Sequence, residues 1–293
     1  MIIIILIILA CIYIFIDLMS KFFVSKFFKC LFKAIPLFIK DLINLDRTVF
    51  RGYGFWIFCG LGGSGKTVGM VEYLTRMKQK YPKVKILTNF KYEYADGRIN
   101  SWQDLLNTTN IVTETITEEE FLKLSKTNKK GVKIDFDSQG NKIYARTVNH
   151  GVIFGFDEIH LTFESTKWAD APDDLLDYIS QQRKFHKQIV GSSQVFTRVN
   201  VKLREQTNFV IECKSLLFGR LVMHKYYYTP EYLANGEKMD KGVQKRKVVK
   251  RTVFVASDNL RDLYDTEEIM KDISAGKSKA NVILDYLKGS EKL

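Results

Sequence analysis

The chain is short of cysteine and proline, with four of each in 293 residues. Cys11, Cys30, Cys59 and Cys213 are scattered and form no C-x-x-C pair. Neither a disulfide framework nor a zinc site is therefore indicated, which fits a reducing compartment. Acidic residues are also in deficit, with 33 Asp and Glu against 45 Lys and Arg and a net charge of +12. Such an excess points to an anionic partner, either nucleic acid or a lipid surface, or serves solubility alone. No N-K-x-D sequence occurs, so the guanine-reading signature of a GTPase is missing. No basic residue precedes the first apolar run and no A-x-A-like site follows it, which argues against a cleaved signal peptide. The length suits one or two domains with a sizeable core.

The most informative stretch is FWIFCGLGGSGKT, from Phe55 to Thr67. An apolar run ends in a sequence that fits G-x-x-x-x-G-K-[ST], and a helical pattern, Val68 to Lys80, follows. Strand, glycine turn and helix in that order are the context of a P-loop. Glycines let backbone N–H groups approach phosphate oxygens, and the helix start adds the positive end of its dipole. Gly60, Leu61, Gly62, Gly63, Ser64, Gly65, Lys66, Thr67 and Val68 are therefore the expected ATP-binding residues. Lys66 would reach the β- and γ-phosphates and the Thr67 hydroxyl would ligate Mg²⁺.

A second apolar run, Gly151 to Phe156, ends in Asp157-Glu158. A parallel strand buried on both faces reads as continuously apolar. At its end Asp157 would hold Mg²⁺ through its water shell, and Glu158 would act as general base toward the attacking water. His160 follows, as a structural or γ-phosphate-side residue. The strand Gln188 to Ser192 leads to Gln194, the candidate γ-phosphate sensor. Arg183 and Arg204 are candidate arginine fingers toward a neighbouring subunit, Arg204 being preferred. Asn89 closes a short strand, Val84 to Thr88, at the sheet edge where ligands bind in open α/β folds.

Other segments give coarser expectations. Ile2 to Ile16 is unbroken apolar sequence, close to the roughly 17–25 residues a spanning helix needs. Lys21, Lys26, Lys29, Lys33 and Lys40 follow it, so the positive-inside rule puts the body in the cytosol. The organisation expected is a transmembrane helix over 1–20, a basic amphipathic helix and linker over 21–50, an ATPase core over 51–220, and a β-rich and helical extension over 221–293. The polar segment Lys129 to Val148 predicts an inserted β-hairpin around Ser138-Gln139-Gly140-Asn141. Helices are expected over Ile99–Leu106, Thr117–Lys126, Asp173–His186, Val201–Gln206 and Asn259–Leu287. Strands are expected over Phe209–Cys213, Leu221–Tyr228 and Lys247–Val255. Tyr226, Tyr227 and Tyr228, with the basic run Lys241 to Arg251, suit either a single-stranded nucleic acid surface or a lysine-protected edge hairpin.

The series GLGGSGKT, ILTN, VIFGFDEIH, QQRKFHKQIVGSSQ and VKLREQTNFV, spanning Phe55 to Arg220, resembles the zonular-occludens-toxin-like family of filamentous-phage assembly ATPases. These belong to the FtsK/HerA-type branch of P-loop proteins. The resemblance implies a RecA-like α/β fold with a mostly parallel sheet and an inner-membrane motor that extrudes or exports single-stranded phage DNA. It makes Lys66 and Thr67 nucleotide-binding, Asp157 and Glu158 catalytic and Gln194 the sensor. It also implies a homo-oligomeric ring, a hexamer, with phage assembly proteins as further partners. Familiar members carry the cytosolic domain before the spanning segment, whereas here the hydrophobic segment comes first. The rival readings are a nucleotide kinase, a slow membrane-attached nucleotide switch, and a conjugative or chromosomal DNA pump.

Overall fold

The computed structural model describes residues 2–43, 45–99, 102–127, 131–136, 138–162, 174–234 and 247–265. The chain divides into two compact units, Met1–Arg47 and Thr48–Leu293. The first is one helix, α1 (Ile2–Ile43), with Pro36 inside it. It runs through both of the segments expected to be separate and takes in the start of the expected linker. Among the described residues no helix is long and apolar enough to cross a membrane. The side chains of residues 2–10, the most apolar part of the expected span, lie outside the described ones.

The second unit runs β1 (Gly54–Cys59), α2 (Lys66–Lys80), β2 (Lys85–Thr88), β3 (Lys91–Tyr92), β4 (Gly97–Arg98), α3 (Trp102–Asn107), β5 (Ile111–Ile116), α4 (Glu118–Thr127), β6 (Val132–Phe136), β7 (Lys142–Asn149) and β8 (Val152–Phe156). It continues with α5 (Ile159–Thr162), α6 (Asp174–Ser180), α7 (Gln182–Phe185), β9 (Lys187–Ser193), α8 (Val201–Gln206), β10 (Thr207–Leu216), β11 (Leu221–Tyr228), α9 (Thr229–Ala234), β12 (Lys250–Val255), α10 (Asp258–Asp262) and β13 (Tyr264–Asp265).

Eight strands form the main sheet in the order β12-β11-β10-β1-β9-β8-β2-β4. The pairs from β10 to β4 are parallel, and β11 and β12 add an antiparallel flank. The central strands are apolar throughout because both faces are covered. Met70, Val71 and Leu74 of α2 pack on Phe58, Ile86, Ile153, Val190 and Ile211. The opposite face buries Phe55, Ile57, Phe154 and Phe156 with Leu105, Leu175, Ile179 and Leu203. Each such side chain contributes roughly 1.5–3 kcal/mol by leaving water. All five parallel connections leave the loops after β1, β8 and β9 at one edge, which is where the site forms.

The inserted hairpin is present, with a third strand the sequence did not announce: β5-β7-β6 make a small antiparallel sheet. Its tie to the body is Glu114. That carboxylate accepts hydrogen bonds from Lys83, from Arg146 Nε and Nη2 at 3.1 and 2.9 Å, and pairs with His150 Nε2 at 2.9 Å. The Lys83 hydrogen bond, then those of Arg146 and His150, hold the Glu114 carboxyl down at about 2 against burial. Stability from this cluster is thus complete above the ordinary 4.5 and is lost as pH falls toward about 2. Melting temperature followed from pH 6 to pH 2 is expected to fall less steeply for Glu114→Gln than for the parent. Identical profiles would remove Glu114 as the cause.

Several boundaries differ from expectation. The helix expected over Asp173–His186 is broken: α6 stops at Ser180, α7 follows, and His186 turns out of helix with φ 52°. The helix expected from Ile99 starts at Trp102, because Gly97–Arg98 joins the sheet beside β2. The strand expected from Lys247 begins at Lys250. The helix expected over Asn259–Leu287 ends at Asp262, and Tyr264–Asp265 then pairs with β3. The rest of that segment lies outside the described residues. Thr117 does cap α4, its Oγ1 accepting from Glu120 N at 3.3 Å.

Candidate functional site: a phosphate loop and its carboxylates

β1 ends at Cys59 and the loop Gly60–Gly65 turns directly into α2. Gly63 and Gly65 adopt φ of 74° and 86°, left-handed backbone that a side chain would strain. Ser64 N donates to Leu61 O at 3.1 Å, and Ser215 Oγ from β10 donates to Gly63 O at 2.6 Å, which fixes the loop at both ends. A Cβ placed on Gly62 or Gly63 would meet no atom within 4 Å, so these positions border open space. Lys66 is the first residue of α2 and is buried. Its Nζ lies 3.4 Å from Leu61 O and 3.9 Å from Glu158 Oε1.

The carboxylate side is built from three strand ends. Thr67 Oγ1 donates to Asp157 Oδ1 at 3.0 Å, and Ser192 Oγ donates to the same oxygen at 2.5 Å. Asn89 clamps the backbone of Asp157 twice: Asp157 N donates to Asn89 Oδ1 at 2.7 Å and Asn89 Nδ2 donates to Asp157 O at 3.0 Å. Glu158 N donates to Ser192 Oγ at 2.9 Å, and Glu158 holds φ 46°, left-handed for a non-glycine residue. Strain of this kind costs of order 1–3 kcal/mol and persists where neighbours over-determine it, as at active sites. Glu158 Oε2 lies 3.3 Å from His160 Nδ1.

Thr67, Asp157, Glu158 and Lys66 are thus brought together as expected, and His160 stands beside Glu158. One contributor was missed, and the partner of another. Ser192 ends a run that reads as buried strand, and nothing local marks its hydroxyl as bridging both acidic residues. Asn89 was placed at the correct edge, yet its partner is 68 residues away. Gln194 follows β9 immediately and is exposed, with Oε1 accepting from Arg198 Nη1 at 3.3 Å. It borders a cavity of about 480 Å³ with Gly60 and Leu61. Arg204 sits on α8, which packs against α6 and the 3-10 turn Phe196–Arg198; its Nε is buried without a partner. Arg183 lies over the Tyr53 ring at 5.5 Å, before β1 and so at the end of that strand opposite the loop.

The aromatic trio divides. Tyr226 and Tyr227 are buried on opposite faces of β11, Tyr226 against Trp56 and Tyr227 donating to Glu212 Oε2 at 2.9 Å. Only Tyr228 is exposed, and it stacks on Phe209. A base-stacking surface made of all three is therefore excluded: adjacent side chains point to opposite faces, and both faces of β11 are covered at Tyr226 and Tyr227. Cys59 and Cys213 are buried free thiols, both pushed upward first by burial. Among the described residues no cluster of three or more His, Cys, Asp or Glu could hold a metal ion alone.

The donor set fits a magnesium–triphosphate. Ser64 Oγ is a buried hydroxyl without a partner inside the loop, and the Thr67 hydroxyl faces a carboxylate. Thr67 and Asp157 would hold the ion, which supplies charge neutralisation at the β- and γ-phosphate oxygens. A glycine loop between a buried strand and helix, with an Asp-Glu pair at the end of β8, one strand removed from β1 across β9, defines a P-loop ATPase. The α/β fold with its mostly parallel sheet is of that class.

The family model described as zonular occludens toxin (Zot) matches residues 55–258. This chain belongs to the Zot family. No curated protein sequence matches it. Among solved structures it is similar to the N-terminal domain of zonular occludens toxin from Neisseria meningitidis, at 14% identity over 73% of this chain and 99% of that one, with a TM-score of 0.40. It is also similar to the genome packaging NTPase B204 of Sulfolobus turreted icosahedral virus 2 bound to AMPPCP, at 12% identity over 61% and 93%, TM-score 0.34. A third is the cytoplasmic domain of the type VII secretion ATPase EccC from Thermomonospora curvata, at 9% identity over 63% and 23%, TM-score 0.33.

Proposed function

We propose that the chain is a membrane-anchored motor whose Mg²⁺-dependent ATP hydrolysis drives assembly or extrusion of a filamentous phage by moving its single-stranded DNA. The observation that carries the reading is the convergence of the Thr67 and Ser192 hydroxyls on one carboxylate oxygen of Asp157 beside the phosphate loop, with Glu158 next in the chain. Lys66 binds the phosphates, Glu158 takes the proton of the attacking water, and Gln194 senses the γ-phosphate from the end of β9. Arg204 serves a neighbouring subunit in a hexameric ring. The apolar run Ile2–Ile16 followed by five lysines supports a single span in the inner membrane, with the ATPase in the cytoplasm.

The test is ATP hydrolysis by the full chain in detergent, with and without single-stranded DNA, and with Lys66→Ala as the blank. Stimulation of several-fold is expected, shrinking steeply between about 50 and 200 mM salt as phosphate contacts are lost. Equal rates with and without DNA would reject DNA as the direct track.

A further inference from the structure

The direction of a bound nucleotide is set by the site. Its γ-phosphate end belongs beside Asp157 and Glu158, at the tips of β8 and β9 on one side of β1. The nucleoside end must therefore leave on the other side of the loop, toward β10 and β11. A cavity of about 380 Å³ opens there from the phosphate loop itself, lined on one side by Gly63, Gly65 and the start of α2 from Lys66 to Val68, and on the other by Phe218 and Gly219 of the β10–β11 turn with Arg261 and Tyr264. That volume falls in the range of small-ligand sites, roughly 300–1,000 Å³.

The turn itself is unusual. Leu217 and Phe218 are consecutive non-glycine residues with φ of 51° and 54°, and both side chains are exposed, Phe218 by 105%. An apolar ring held in left-handed backbone and turned wholly to water gains nothing for the fold, and strain of this kind marks a functional constraint. The turn is also anchored. Ser215 Oγ ties it to Gly63 of the phosphate loop at 2.6 Å, Arg261 Nη2 donates to Gly219 O at 2.8 Å, and Arg220 Nη1 donates to Asp258 Oδ1 at 2.5 Å. A ring carried on a turn that is fastened to the phosphate loop, with its faces open, is placed to stack on a planar base.

We propose that this cavity receives the base of the nucleotide, with Phe218 as its stacking platform and Tyr264 and Arg261 forming the wall. The proposal rests on the reading of the P-loop as the triphosphate site and adds the residues that hold the nucleoside. Because Phe218 is exposed, shortening it removes no core packing and leaves the fold intact.

The test measures binding of ATP and of inorganic tripolyphosphate, which has no base, by calorimetry on the full chain in detergent. Phe218→Ala is expected to weaken ATP about five- to thirty-fold, the scale of one base–aromatic stack, and to leave tripolyphosphate within about two-fold. Phe218→Tyr should retain ATP affinity, and Phe218→Trp should give a fluorescence signal quenched by ATP but not by tripolyphosphate. Lys66→Ala should weaken both ligands. If Lys66→Ala weakens both while Phe218→Ala changes neither, the base pocket is wrong and the P-loop reading stands. If Lys66→Ala changes neither, the P-loop reading falls and takes the pocket with it.

Discussion

Glu158→Gln is expected to leave ATP binding within a few-fold of the parent and to slow hydrolysis by about 10²- to 10⁴-fold, the usual contribution of a positioned general base. The substitution keeps the size of the side chain and removes its negative charge, which lies 3.9 Å from Lys66 Nζ, and with it the capacity to accept a proton. The position is held independently of that charge: Glu158 N is bonded to Ser192 Oγ, and the backbone before it is clamped by Asn89. Asp157, Thr67 and Ser192 keep their mutual hydrogen bonds in the variant, since none of them runs through the Glu158 side chain. Single-turnover hydrolysis with calorimetric ATP titration separates the two quantities. A rate within ten-fold of the parent would transfer the role of base to another group, His160 being the nearest at 3.3 Å from Oε2.

Gly69→Ala is expected to destabilise the protein by about 1–3 kcal/mol and to reduce ATP turnover, since Gly69 N donates to Gly65 O of the phosphate loop at 2.9 Å and a shift of the helix there moves the loop. Gly69 lies one turn into α2, and a Cβ there would meet the His224 ring, with Cε1 only 2.6 Å away. The ring has no room to retreat. It is 2% exposed and packed among Phe58, Tyr226 and Phe254, and burial has pushed it down to about 4, so it is neutral at pH 7. Helix α2 must give way instead, and its first residues are Lys66 and Thr67. Over a body of this size the cost corresponds to a melting-temperature loss of roughly 2–12 °C. His224→Ala in the Gly69→Ala background should recover part of both losses, since the pair is in contact and its effects are not additive. A Gly69→Ala protein with parental melting and turnover would show that α2 tolerates the shift.

The sequence announces what is continuous along the chain. FWIFC, VIFGF and QIVGS are apolar runs bounded by polar residues, and all three are central strands; the P-loop and Asp157-Glu158 sit at the ends of two of them. The α8 helix has the predicted limits, Val201–Gln206. Pairing between distant strand ends is not written locally. Ser192 reads as the polite end of a strand until β9 is seen lying beside β8, where its hydroxyl meets both acidic residues. β5 carries Thr-Glu-Thr between apolar neighbours and gains its strand character from pairing with β7, while Glu114 within it is explained by Lys83 and Arg146 far along the chain. Lys187 is similar: a basic residue at a strand start reads as surface, yet its Nζ donates to Leu105 O and Leu106 O at 3.1 and 3.2 Å, and burial lowers it to about 8. Tyr226 and Tyr227 are the opposite case: their place in a tyrosine run beside basic residues fits a surface, but both faces of β11 are covered there and both rings are buried.

The strand that launches the phosphate loop waits for both of its neighbours. β1 pairs with β9 on one side and β10 on the other, and these begin at Lys187 and Thr207. At a synthesis rate of about 5–20 residues per second, more than 120 further residues take roughly 6–25 seconds to emerge. Throughout that interval Phe55, Ile57 and Phe58 have no partner strand, and the glycine loop has no fixed start. The nascent chain therefore carries the apolar strand β1 unpaired for nearly half of its translation, and Thr67, Asp157 and Ser192 meet only once about two thirds of the chain has been made.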